Sequence, residues 1–138
     1  MAEKLNFSIN IESPIAVYVQ IENQVQFAIA SGRIKPGETL PSVFKMSSML
    51  NIVPSTVTKA YRELELLQLV HASRGVGVTI AENAPRLSKE ITLAMVKSHL
   101  TEAVAECVAA GLAAADIRKV VGDAIDAKTA PYLTAKKK

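Results

Sequence analysis

Two short helix patterns set across a tight turn between Leu40 and Leu69, a glycine-marked hairpin directly behind them, and two apolar, alanine-rich helical stretches that close the chain predict an α+β fold, mainly α. The expected architecture is a winged helix-turn-helix domain over 1–81 and a small C-terminal helical dimerisation segment of two helices over 82–130. A flexible basic tail is expected over 131–138, after Pro131.

The first helix follows Ser13-Pro14, with Ser13 as cap and Pro14 as first helical residue. Tyr18, Ile21, Val25, Ala28 and Ile29 then recur at steps of three and four, which is one buried helical face, and Gly32 supplies a left-handed stop. Pro36-Gly37 reverses the chain into Leu40-Pro41. The second helix opens at Ser42 and runs to about Leu50, with Val43, Met46, Met49 and Leu50 expected inside. The third opens at Pro54, whose missing N–H costs nothing at a first helical position, and runs to about Leu67. Asn51 to Val53 alone separate the two, which is helix-turn-helix spacing and can present the later helix to a DNA major groove.

The apolar stripe of the third helix is Val57, Ala60, Tyr61, Leu64 and Leu67. Ser55, Thr56, Thr58, Lys59 and Arg62 fall outside it, a polar and basic face suited to phosphates and base edges. After Gln68 the period shortens: 69–73 and 76–80 read as strands, with Arg74-Gly75-Val76-Gly77 between and into them. Arg74 thus stands on a wing, where a long cation beside a flexible glycine can reach phosphate or a minor groove.

Composition narrows the function classes. A chain of 138 residues with 49% hydrophobic and 21% charged residues is large enough for a core and is not of a disordered type. Aromatics make up 4% and Trp is absent, which argues against stacking platforms for single strands. The lone Cys107 permits no internal disulfide, the N-terminus lacks the apolar core of a signal peptide, and no apolar run is long enough to span a membrane. A soluble, cytoplasmic protein is expected. His71 and His99 stand apart from acidic or Cys companions, so no metal and no cofactor is expected. No nucleophile elbow, phosphate loop or paired-carboxylate arrangement occurs, and Gly75-Val76-Gly77 precedes a strand where a dinucleotide motif precedes a helix; the chain is not expected to be an enzyme.

Net charge is +3, yet residues 1–81 hold seven Lys and Arg against six Glu. Any DNA contact must therefore use a local patch and not a global field. Singly, Lys45, Lys59, Arg62 and Arg74 are ordinary solvated cations. Their joint placement on the second helix, the third helix and the wing makes them candidates.

These residues carry a resemblance. YVQIENQVQFAIASGRIKPGETLPSV, STVTKAYRELELLQLV and the wing SRGVGV are similar to the DNA-binding domain of GntR-family bacterial transcription regulators. The short helical remainder resembles the YtrA-like subgroup, in which a small helical segment dimerises the protein and no large effector domain is attached. The resemblance implies a sequence-specific regulator, a repressor acting as a homodimer on a palindromic double-stranded operator, near its own promoter or a transport operon. Carried onto this sequence, Ser55, Thr56, Thr58, Lys59, Arg74 and Gly75 face DNA, and Ser42, Phe44, Lys45 and Arg62 complete the expected interface.

Phe44 departs from the family, which typically places an operator-reading arginine there after LPS and one more residue. Either Phe44 touches a thymine methyl or packs inward, or DNA binding has weakened and the domain serves as a protein-interaction module anchored by Phe44. Val53, where an Asn often caps, and Lys45, at a capping-box acid position, are further departures, the missing cap costing about 1 kcal/mol.

From Pro85 to about Ala110 the residues Leu87, Ile91, Ala94, Met95, Val104 and Val108 keep helical spacing, and Gly111-Leu112 reads as a stop. A last helix near 114–127 carries Ile117, Val120, Val121, Ala124 and Ile125. Two helices alone bury little, so this surface needs a partner. A twofold homodimer supplies it, with Leu87, Ile91, Met95, Val104, Val108, Ile117 and Val121 as dimerisation residues and the recognition helices about one DNA turn apart. The segment is small for a closed cavity, but such an interface could form a pocket for an unknown small-molecule effector.

Overall fold

The computed structural model describes residues 5–136, with side-chain surroundings to 130. It forms α1 (Val17–Ala30), α2 (Val43–Leu50), α3 (Pro54–Leu66), β1 (Val70–Ser73), β2 (Gly77–Ile80), α4 (Ala84–Ala109) and α5 (Ala114–Lys136). Two compact units result, Met1–Ala94 and Met95–Lys138. The division falls inside α4, past the expected boundary at 81, because Ala84 is buried in the winged core and Leu87 and Ile91 pack on it.

In the first unit Ile21, Val25, Ala28 and Ile29 of α1 meet Met46 of α2 and Val57, Ala60, Tyr61 and Leu64 of α3, all buried, with Ile34, Leu40, Leu69 and Ile80 closing the core. Each Val, Ile, Leu or Met among them is worth roughly 1.5–3 kcal/mol of burial. α1 starts at Val17 and not at Ser13-Pro14. Ser13 Oγ accepts the Ile15 N–H in a local turn, so its capping capacity is used before the helix begins. Met49 and Leu67, expected inside, are 48% and 38% exposed. An eight-residue α2 presents only a narrow stripe to the core, and its second inward place belongs to Ser47, whose hydroxyl donates to the Ile52 carbonyl across the turn.

β1 and β2 pair antiparallel from Val70↔Ile80 to Ser73↔Gly77. The wing has a third member overlooked in the sequence: Thr39 bridges Thr79, the Leu40 N–H donates to the Val78 carbonyl at 2.8 Å, and the Ile80 N–H to the Glu38 carbonyl at 2.9 Å. Also overlooked is the arm before α1. Leu5, Phe7 and Ile9 alternate onto the core, a period of two that was legible. The intervening backbone pairs with glutamine amides of α1: the Ser8 N–H donates to Gln24 Oε1 at 3.0 Å and the Asn10 N–H to Gln20 Oε1 at 2.9 Å, each amide donating back to the carbonyl of the same residue.

In the second unit α4 ends as expected, with Gly111 at φ +83° and the Leu112 N–H reaching the Cys107 carbonyl. α5, however, stays helical to Lys136, past the expected end near Ala127 and through Pro131, which was expected to open a flexible tail. Lys137 and Lys138 of that tail lie outside the described residues, as do Met1 to Lys4.

Candidate nucleic-acid interface

α2 and α3 are joined by Asn51, Ile52 and Val53, and Asn51 adopts a left-handed conformation with φ 55°, one its short side chain tolerates. The Ser42 hydroxyl caps α2 by accepting the Lys45 N–H at 3.1 Å; Val53 leaves α3 without a side-chain cap. The Tyr61 hydroxyl donates to the Pro41 carbonyl at 2.7 Å, tying α3 to the entry of α2. Burial holds that phenol well above its usual range, so it remains a neutral donor.

Ser55, Thr58, Lys59 and Arg62 are exposed and share one face of α3 along an open groove of about 470 Å³ that Glu63 also lines. Thr56 is half-buried. Thr58 Oγ1 donates to the Pro54 carbonyl of its own helix at 3.1 Å. Lys59 turns toward α1, its ammonium 4.1 Å from the centre of the Tyr18 ring. Glu22 belongs to the same cluster: burial first, and Glu63 second, raise its pKa above the usual value, while Lys59 acts in the opposite sense.

A second groove, of about 210 Å³, is lined by Val43 of α2, Thr58, Tyr61 and Arg62 of α3, and Ala72 and Val78 of the wing. It draws the start of α2, the polar face of α3 and the base of the wing into one concave surface. Glu65 Oε2 accepts the Ala72 N–H at 3.1 Å, which fixes the wing against α3. The roles of Glu65 and Glu22 exist only between elements and leave no local signal, and Tyr18, expected only on the buried face of α1, also carries the Lys59 ammonium. Arg74 stands exposed at the wing turn beside Gly75, whose φ of +82° excludes most side chains. Phe44 is 77% exposed, which rules out the inward-packing alternative.

The expected dimerisation residues divide. Leu87 and Ile91 pack against the core of their own winged unit, since the first turns of α4 complete that core. Met95 is half-buried. Val104, Val108, Ile117 and Val121 line an open groove of about 480 Å³ together with Leu112, Arg118 and Ile125. Leu93, Val96 and Leu100, absent from the expected set, are also exposed. Among the described residues no group of three or more His, Cys, Asp or Glu could hold a metal ion, and no helix is long and apolar enough to cross a membrane.

A tight helix-turn-helix backed by a wing, with a polar and cationic stripe on its second helix, defines the class of winged-helix DNA-binding regulators. The family of bacterial regulatory proteins called gntR matches residues 17–80. The HTH-type transcriptional repressor YtrA of Bacillus subtilis is 35% identical over 104 residues, which is 75% of this chain and 80% of that protein. A transcriptional antiterminator from Listeria monocytogenes is 29% identical with a TM-score of 0.69, covering 86% of this chain and 89% of that one. YtrA from Sulfolobus acidocaldarius, a GntR-family transcription factor, is 28% identical with a TM-score of 0.53, over 67% of this chain and 97% of its own. The chain belongs to the GntR family, on its YtrA-like side; it is a transcription regulator with a DNA-binding helix-turn-helix, and not an enzyme.

Proposed function

We propose that the chain is a homodimeric repressor of the cytoplasm that binds a palindromic operator in double-stranded DNA. The observation that carries this reading is the exposed stripe Ser55, Thr58, Lys59 and Arg62 on α3, with Arg74 exposed on the wing and Lys45 exposed at the start of α2. Inserted in a major groove, α3 offers hydroxyls and a guanidinium to base edges, and the flanking cations meet phosphates. The winged unit, whose core includes the first turns of α4, accounts for DNA binding, and the helical segment beyond Ala94 for dimerisation. The apolar groove of α4 and α5 favours a second copy as its cover, because such a surface is unfavourable in water. Two recognition helices related by a twofold axis require a two-part, inverted site. Occupying that site would hinder transcription, in keeping with the repressor name of the Bacillus relative.

Titration of duplex DNA at several salt concentrations tests the reading. Binding should prefer particular sequences, and log K should fall linearly with log salt with a slope of about −0.9 per phosphate contacted. Absence of binding at micromolar protein and low salt would overturn it. A second reading, a winged helix turned protein-interaction module, draws on Phe44, an exposed aromatic ring at the start of α2. That reading requires the same titration to be flat.

A further inference from the structure

We infer that Phe44 is a specificity-determining residue that reads a thymine in each half-site through the C5-methyl group; the inference rests on the DNA-binding reading above. Phe44 is the second residue of α2 and is 77% exposed. The Ser42 cap fixes the helical turn that carries it. Its neighbour Val43 lines the groove shared with Thr58 and Arg62 of α3 and with the wing, so the start of α2 borders the face offered to DNA. The exposed residues of α3 on that face, Ser55, Thr58, Lys59 and Arg62, are polar or cationic. Phe44 at the start of α2 is an exposed aromatic ring, whereas Val53 before α3 and Val76 on the wing are exposed aliphatic side chains.

A phenyl ring has no donor or acceptor, so it can discriminate neither phosphates nor the hydrogen-bonding pattern of a base edge. In the major groove the apolar group available to it is the thymine methyl. The contact removes that methyl and part of the ring from water together, a gain on the scale of one buried methylene. The expected preference is therefore modest, about three- to fivefold for thymine over the same base without its methyl.

The test begins with selection of bound duplexes from a randomised pool by the full-length protein. Each selected thymine is then replaced by deoxyuridine, which pairs identically and lacks the methyl. One thymine per half-site should lose about three- to fivefold in affinity on replacement. Phe44→Ala should bind thymine and uracil duplexes equally, and Phe44→Leu should keep part of the preference. Phe44→Arg should move the preference at that position to guanine. Indifference of the wild-type protein to uracil at every position overturns the inference, as does equal sensitivity in wild type and Phe44→Ala. Failure to enrich any sequence instead overturns the DNA-binding reading, and the role of Phe44 falls with it.

Discussion

Tyr61 shows how one polar atom sets the geometry of a helix pair. Its ring fills the core between α2 and α3 while its hydroxyl reaches the Pro41 carbonyl at 2.7 Å. Tyr61→Phe keeps the packing and leaves that carbonyl without its donor. Stability should fall by about 1 kcal/mol, read as a lower urea midpoint at unchanged slope. Glu22 makes the opposite kind of prediction. Burial, and then Glu63, raise its pKa, so the folded state binds a proton more readily than the unfolded one. The cost of ionised Glu22 is present at neutral pH and is relieved as pH falls through the raised value toward 4.5. Glu22→Gln should raise the melting temperature slightly at pH 7 and have no such benefit at pH 4, provided melting curves of both proteins are compared at each pH. Lys59 stacked on Tyr18 completes this cluster, so a residue expected to face DNA is held partly by α1 in the free protein.

Among the elements, four helices end in the same way. After α1, α2, α3 and α4 the chain takes a left-handed residue, Asn51 in the case of α2, and closes a six-residue bond: the Arg33 N–H to the Ala28 carbonyl, Ile52 to Ser47, Leu69 to Leu64, and Leu112 to Cys107. Gly32 and Gly111 hold that place after α1 and α4, but Gln68 holds it after α3 with φ 64°. A side chain there costs about 1–2 kcal/mol, part of which glycine would return to the unfolded chain as entropy. Gln68→Gly should therefore stabilise the protein by about 0.5–1 kcal/mol in chemical denaturation. The glycine stops could be read in the sequence because their residue type states the backbone they need. Gln68 gives no such signal, and neither do Gln20 and Gln24, whose amides act as a strand edge only once residues 8 and 10 lie against α1. Ser13 misled for a related reason: its hydroxyl can cap a helix or close a shorter turn, and both look alike in one dimension.

Over the whole molecule, the apolar groove of the second unit decides the assembly. Val108 is 62% exposed in the single chain and lines that groove, so Val108→Lys should leave the folded chain intact by circular dichroism. In the proposed dimer it buries an unpaired charge. The variant should sediment as a monomer where the wild type sediments as a dimer, and its operator affinity should drop by about 10²–10⁴ with the loss of bivalent binding. A Val108→Lys protein that remains dimeric would move the interface elsewhere, for instance onto exposed Leu93, Val96 and Leu100.

The sequence by itself determined the five helices, the hairpin wing, the three-residue turn and the polar face of α3, since period, turn chemistry and caps are local properties of the chain. The resemblance to the GntR family, read from the same residues, also marked Phe44 as unusual. Only the tertiary structure decided which way Phe44 points, which apolar residues of α4 serve its own core, and what Lys59, Glu65 and Tyr61 touch. Those outcomes depend on surfaces brought together from distant segments, and a periodic pattern names a buried face without naming what covers it.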